Sequence, residues 1–169
     1  EYFKQNGKAR VDLIVCNKPD AGVLNIAYEN GIETIIITRD TFKEPELLVR
    51  IQQIKPSLIV LAGFLWKIPH TLVEAFPDKI INIHPALLPK YGGKGMYGAY
   101  VHEAVINARE KESGITIHYV NDVYDSGDII VQARCKIEDK DNASLLAGKI
   151  HQLEHFYFPR TIEFLLRHL

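Results

Sequence analysis

The feature that most restricts the fold of this chain is a series of short Val/Ile/Leu-rich runs, each followed by a stretch with helical spacing. Val11 to Cys16 reads Val-Asp-Leu-Ile-Val-Cys and leads through the turn Asn17-Lys18-Pro19-Asp20 into a helical stretch, Ala21 to Asn30, closed by Gly31. Thr34 to Thr38 is a second run, followed by a helix over Glu44 to Ile54, and Ser57 to Leu61 is a third, ending in Ala62-Gly63-Phe64. A short helix over Pro69 to Ala75 leads into a fourth run, Lys79 to Ile83. A strand with one wet face alternates apolar and polar residues, whereas a strand covered on both faces does not. The runs therefore predict an α/β fold: a doubly wound, mostly parallel sheet flanked by helices.

The second half changes character. Tyr97, Val101, Ala104, Val105 and Ala108 form a helical stripe. Gly114 to Val120 and Asp128 to Ile137 read as strands joined by the short link Asn121 to Gly127, too short for a parallel crossover, which predicts an antiparallel pair at the sheet edge. Ser144 opens a last helix with Leu146, Ile150, Leu153 and Tyr157 on one face; Pro159 predicts a kink or restart, and Ile162, Leu165, Leu166 and Leu169 continue a stripe beyond it. Glu1 to Gly7 reads as the tail of a helix ending at glycine, with neither a starting Met nor a capping residue ahead of it. The expectation is one domain over residues 1–169, lacking its first strand.

A formal net charge of −1 gives no electrostatic reason to expect a nucleic-acid or membrane partner, and no apolar run approaches the roughly 20 residues of a membrane span. Cys16 and Cys135 sit far apart within apolar runs, which predicts buried free thiols in a reducing compartment; with no signal peptide in view, a cytoplasmic protein is expected.

Three segments could carry chemistry. Asn82-Ile83-His84-Pro85-Ala86-Leu87-Leu88-Pro89 follows directly on a buried strand, where open α/β sheets place their ligand sites. Asn82 and His84 are two apart, so in an extended segment an amide and an imidazole project to one side, as a carbonyl oxygen gaining charge would require. Alone, the same residues read better as a strand end capped by Asn82 and a satisfied, partly buried histidine. Asp122 to Asp128 alone is a polar turn, and Leu61-Ala62-Gly63-Phe64-Leu65-Trp66 alone could be core.

Taken together, Ala62-Gly63-Phe64, Asn82-Ile83-His84-Pro85-x-Leu87-Leu88-Pro89, Gly114-Ile115-Thr116-Ile117-His118-Tyr119-Val120 and Asp125-x-Gly127 resemble the 10-formyltetrahydrofolate-dependent formyltransferases, in order and spacing, over nearly the whole chain. Single-domain length and the His118-x-Val120 strand resemble the branch of that family acting on glycinamide ribonucleotide in purine biosynthesis. The methionyl-tRNA branch carries an extra C-terminal domain, and the formyltetrahydrofolate-hydrolysing branch a regulatory one. The resemblance implies that Asn82, His84 and Asp125 are catalytic. Asn82 would hydrogen-bond the oxyanion and protonated His84 would stabilise it. Asp125 would favour the charged imidazole, raising its pKa, and would assist a water in moving the proton. It implies 10-formyltetrahydrofolate as cosubstrate, held by Leu61, Phe64, Leu65, Trp66, Lys67, Ile68, Asn82, Tyr119, Val120, Asn121 and Asp125. Trp66 and Lys67 depart from the family pattern. Pro85, His151 and Glu154 would bind the nucleotide, the last near its ribose hydroxyls. The family's phosphate loop, which follows its first strand, is expected to be missing with that strand. No metal is needed for this chemistry.

Other readings compete. Lys90 to Gly98 holds four glycines in nine residues but lacks the Gly-Lys-Ser/Thr ending of a phosphate loop, so a mobile lid is expected there. His151-Gln152-Leu153-Glu154-His155 matches a zinc-hydrolase pattern, with Glu163 as the sole candidate for a third ligand. A folate-binding module without catalysis is a third reading. His118 is expected to be structural, and His70, His102 and His168 to lie on the surface.

Overall fold

The computed structural model describes residues 2–6 and 9–168. They form two compact units, residues 1–57 and 58–169. The first unit opens with α1 (Tyr2–Asn6), the expected helix tail; Gly7, expected to close it, lies outside the described residues. β1 (Leu13–Cys16) and β2 (Glu33–Ile36) pair in parallel, from Leu13 opposite Glu33 to Cys16 opposite Ile36, with α2 (Gly22–Glu29) as the crossover. Gly31 closes α2 as expected. At φ +62° it takes the left-handed position that ends many helices, and the Ile32 N–H returns to the Ala27 carbonyl at 2.9 Å. α3 (Pro45–Ile54) begins with proline, whose missing N–H costs nothing in a first turn, and Arg50 pairs with Glu33.

The second unit contains a four-stranded sheet in the order β3 (Ile59–Leu61), β4 (Ile80–His84), β5 (Glu112–Tyr119), β6 (Ile129–Lys136). β3 and β4 are parallel; β5 runs antiparallel to both β4 and β6. The expected antiparallel edge pair is present, and the reversal also falls between β4 and β5, inside the sheet. α4 (His70–Ala75) and α5 (Ala99–Asn107) lie close to their expected bounds. Two glycines are dictated by backbone proximity: a Cβ on Gly114 would stand 2.0 Å from the Ala133 carbonyl oxygen, and one on Gly127 1.9 Å from that of Tyr119.

The core of this unit joins Val105 of α5, Ile115 and Ala133 of the sheet, and Leu146 and Ile150 of α6 (Ala143–Leu166). Each of the Val, Ile and Leu side chains contributes about 1.5–3 kcal/mol by leaving water. α6 starts at Asn142, whose side-chain oxygen accepts the Leu145 N–H at 2.9 Å. It does not restart at Pro159. The helix runs unbroken across it, and Arg160 donates to the Phe156 carbonyl at 2.7 Å and Thr161 to that of Tyr157 at 3.0 Å. Among the described residues, no helix is long and apolar enough to cross a membrane. Cys16 and Cys135 are free thiols, Cys16 buried and Cys135 half-buried.

Candidate active site

The C-terminal end of β4 carries the site. Register places Leu61, Asn82 and His118 in one row across β3, β4 and β5. Cross-strand partners share a face, and Asn82 Nδ2 lies 3.2 Å from His118 Nε2. His118 Nδ1–H donates to the Tyr119 carbonyl at 2.8 Å, which leaves Nε2 facing both the Asn82 amide and the Asp125 carboxylate. Two residues on, His84 Nε2–H donates to the Tyr91 carbonyl at 2.7 Å, which turns Nδ1 towards Asp125 Oδ2 at 3.6 Å. The other Asp125 oxygen stands 3.7 Å from His118 Nε2. Asn82, His84 and Asp125 are thus gathered as expected, and His118, expected to be structural, stands between Asn82 and Asp125.

The segment after β4 is locked from behind. Thr116, fully buried on β5, donates its hydroxyl to the Ala86 carbonyl at 2.7 Å and accepts the Leu88 N–H at 3.0 Å. Gln132 on β6 donates to the Leu88 carbonyl at 3.0 Å and to Thr116 Oγ1 at 2.9 Å. On the opposite side, Asp125 sits at φ +53°, and Oδ2 accepts the Gly93 N–H at 2.8 Å. Gly93 belongs to the stretch expected as a lid, so the start of that loop is tied to the site.

The expectation that Asp125 raises the His84 pKa needs correction. The carboxylate does push it up, but His84 is only 4% exposed, and burial outweighs Asp125 and the Tyr91 carbonyl and holds the ring below its ordinary value; His118 adds to the lowering. Burial also acts on Asp125, upward, but the His118 and His84 rings and the Gly93 N–H outweigh it and hold the carboxyl below the usual carboxylate range.

The residues expected to hold folate divide. Leu61 shares the row of Asn82; Tyr119, opposite Ile81, ends β5, and Val120 follows it with its N–H donating to the Ile80 carbonyl at 2.9 Å. Asn121 is exposed and shapes its own loop, its side-chain oxygen accepting the Val123 N–H at 2.9 Å and the Ser126 hydroxyl at 3.1 Å. Phe64 and Trp66 are half-buried, edge to face at 5.9 Å, Ile68 is buried, and Leu65 and Lys67 are exposed. His70 is on the surface as expected, yet its Nδ1 reaches the Asp122 carboxylate at 2.8 Å and Nε2 reaches Glu74 at 3.2 Å, tying the start of α4 to the loop carrying Asp125. Asp122 and then Glu74 raise the His70 pKa. His168 is exposed, against Phe164.

Of the residues expected to bind the nucleotide, Pro85 is half-buried next to His84. His151 and Glu154 are 4.0 Å apart on α6, Glu154 with its carboxyl pushed up by burial. His102, expected on the surface, is 4% exposed, with an unpartnered Nδ1; burial lowers its pKa, and His151 and His84 add to the effect. Among the described residues, no group of three His, Cys, Asp or Glu side chains is placed to hold a metal ion.

A formyl transferase family model matches residues 1–162. The chain is 40% identical over 158 residues to a chloroplastic phosphoribosylglycinamide formyltransferase of Arabidopsis thaliana, covering 90% of this chain and 54% of that protein. It is 34% identical over 168 residues to the phosphoribosylglycinamide formyltransferase of Bacillus subtilis, covering 96% and 84%. The crystal structure of the Bacillus halodurans phosphoribosylglycinamide formyltransferase superposes with a TM-score of 0.87 at 31% identity, over 98% of this chain and 86% of that one. The chain spans about half the length of the plant relatives it matches. With the family model covering nearly the whole sequence and the same fold recurring in solved relatives, the chain belongs to the formyl transferase family.

Proposed function

We propose that this protein transfers the formyl group of 10-formyltetrahydrofolate to the amine of glycinamide ribonucleotide, a step of purine biosynthesis, with residues 1–169 as one formyltransferase domain. The observation that carries the reading is the gathering of Asn82, His84, His118 and Asp125 at the end of β4 in a chain whose relatives bear that activity in their names.

The amine nitrogen attacks the formyl carbon, and the carbonyl oxygen takes up negative charge. Asn82 donates an amide hydrogen to that oxygen; His118, 3.2 Å from the amide nitrogen, orients it. Such donors typically contribute about 3–4 kcal/mol, because the charge they meet develops only on the way to the intermediate. At rest, burial disfavours a charge on His84. The oxyanion and Asp125 together offset that penalty, so as the oxyanion forms the ring draws a second proton from solvent onto Nδ1, beside Asp125, and returns it when the intermediate collapses and the bond from the formyl carbon to the folate nitrogen breaks. Asp125 steers the water that carries the amine proton to the departing folate nitrogen. Leu61, Phe64, Leu65, Trp66, Lys67, Ile68, Tyr119, Val120 and Asn121 line the folate side, and Pro85, His151 and Glu154 the nucleotide side. Nothing in this sequence of steps asks for a metal, a nucleic acid or a membrane. A cytoplasmic location suits the free thiols, although the plant relatives are named as chloroplastic.

The test is a formyl-transfer assay with 10-formyltetrahydrofolate and glycinamide ribonucleotide, run beside free water and methionyl-tRNA as acceptors. Formylation of glycinamide ribonucleotide alone supports the reading; preference for either other acceptor moves the protein to another branch of the family. Folate binding without transfer to any acceptor would reduce it to a binding module.

A further inference from the structure

We infer that Glu110, remote from the reacting atoms, is a positioning residue that sets the tautomer of His84 through Tyr91; the inference deepens the formyl-transfer reading and rests on it. The observation behind it is the backbone of Tyr91. This aromatic residue sits at φ +57°, a left-handed conformation that side chains with a Cβ seldom adopt. Such a conformation persists only where its surroundings over-determine it. Here its consequence is chemical: the Tyr91 carbonyl is turned onto His84 and accepts Nε2–H at 2.7 Å. A proton fixed on Nε2 leaves Nδ1 as the nitrogen that faces Asp125 and can take the second proton.

Two contacts of its own and one of its neighbour hold Tyr91 in place. Its ring packs against the core around Val105 and Ile115. Its hydroxyl donates to Glu110 Oε1 at 2.9 Å, and Lys90 Nζ donates to the same oxygen at 2.8 Å, so one carboxylate grips both the ring and the preceding residue. Glu110 stands in the turn between α5 and β5, its N–H on the Val105 carbonyl at 3.4 Å, and so belongs to the rigid frame of the unit. Both donors lower its pKa, which keeps it an anionic acceptor. On the other side of Tyr91 the chain has no slack. A Cβ on Gly92 would come within 2.5 Å of Leu88 Cδ2 and 3.2 Å of Asp125 Cβ, and the next N–H, of Gly93, is the one Asp125 accepts. Rotating the Tyr91 peptide would therefore withdraw the acceptor from His84 and disturb the Asp125 contact at once. Tyr91 and Glu110 also line an open cleft with Lys90 and Pro89, so the hydroxyl and carboxylate can be altered without opening the packed core.

The experiment compares Tyr91→Phe, Glu110→Ala and Glu110→Gln by steady-state kinetics and by ¹⁵N NMR of the imidazole nitrogens, with the His84→Gln spectrum identifying the ring. Tyr91→Phe and Glu110→Ala are expected to populate the Nδ1–H tautomer of His84 and to lower kcat by about tenfold to a hundredfold, with KM within about twofold, as for displacement of a reacting group. Glu110→Gln, whose amide oxygen still accepts the phenol, recovers most of the turnover and the wild-type ring signals. The inference is overturned if Tyr91→Phe keeps the wild-type tautomer, or if Glu110→Gln is as impaired as Glu110→Ala. Loss of thermal stability with unchanged ring signals would overturn it as well, by leaving Glu110 a purely structural role. If the unaltered protein formylates no acceptor, the functional reading fails, while the NMR arm still decides whether Glu110 and Tyr91 govern His84.

Discussion

Asp125→Asn isolates one charge. The amide keeps the size of the carboxylate, and its oxygen can still accept the Gly93 N–H now held at 2.8 Å, so the left-handed backbone at Asp125 retains its anchor. What disappears is a unit charge 3.6 Å from His84 Nδ1. At that separation two unit charges interact by about 1 kcal/mol in bulk water and by about 5 kcal/mol at an effective dielectric of 20. The side chains are 4% and 11% exposed, which places the pair nearer the second figure. A loss of about 3 kcal/mol or more in stabilising the imidazolium corresponds to a fall in kcat of roughly two to three orders of magnitude. The sign of the pH effect is fixed too. Asp125 raises a His84 pKa that burial has lowered, so removing the charge lowers it further, and the residual activity should lie at lower pH than in the wild type. The assay follows release of tetrahydrofolate across a pH series, with thermal unfolding as the control for folding. A variant with unaltered melting temperature whose kcat stays within about threefold of wild type, with an unmoved profile, would refute the reasoning, since a difference that small is under about 0.7 kcal/mol.

Asn82→Ala should lower kcat by roughly a hundredfold to a thousandfold, as for loss of one oxyanion donor, with folate affinity measured by fluorescence quenching nearly unchanged; an equal rise in the dissociation constant would make Asn82 a binding residue instead. Gly127→Ala forces a Cβ to 1.9 Å from the Tyr119 carbonyl oxygen and 2.7 Å from its carbon, a backbone wall that cannot rotate away, so urea unfolding should show a loss of several kcal/mol; wild-type stability would mean that the turn is not built as described. Stability should fall as the pH drops below 6.5, the ordinary histidine value: His84 and His102 have lowered folded-state values, so the unfolded chain takes up protons first, each group costing up to about 1.4 kcal/mol per pH unit until its own folded value is reached. His102→Gln should flatten that slope in denaturant titrations, and an unchanged slope would show that the ring is solvated.

What the sequence revealed and what it withheld follow from the range over which each signal acts. Strand positions were legible because Leu13 to Val15 and Ile80 to Ile81 are unbroken apolar runs, a local property of composition; the covering of both faces is not local, since Ile80 and Ile81 are buried while Leu13 to Val15 are only half-buried. Strand direction is not. Nothing in Ile115-Thr116-Ile117 states that β5 will run against β4 as well as β6, because that depends on where the chain returns after α5. The convergence of Asn82 and His84 was legible from their spacing of two on an extended segment. The part played by His118 was not, since it rests on the register that sets His118 opposite Asn82. A signal for His102 was present and missed: it neighbours Val101 and lies three before Val105, on the stripe that α5 buries, but a polar residue type outweighed its position. Of the kink or restart expected at Pro159, the restart does not occur, in a helix already packed through Leu146 and Ile150.

The His84 pKa exposes the common cause. Sequence supplies the partner, Asp125, and so predicts a rise; it does not supply the depth of burial, which decides the direction. Depth is created by the frame behind the site, Thr116 and Gln132 locking the segment after His84, and Tyr91 covering its ring nitrogen. None of these side chains has a functional signature of its own. Together they make a charge on His84 costly until a second negative charge appears beside it. In the formyl-transfer reading that charge is the oxyanion, so the same burial that overturned the simple expectation becomes the source of selectivity for the transition state. It penalises the imidazolium in the resting enzyme and relaxes the penalty only where the reaction creates the compensating charge.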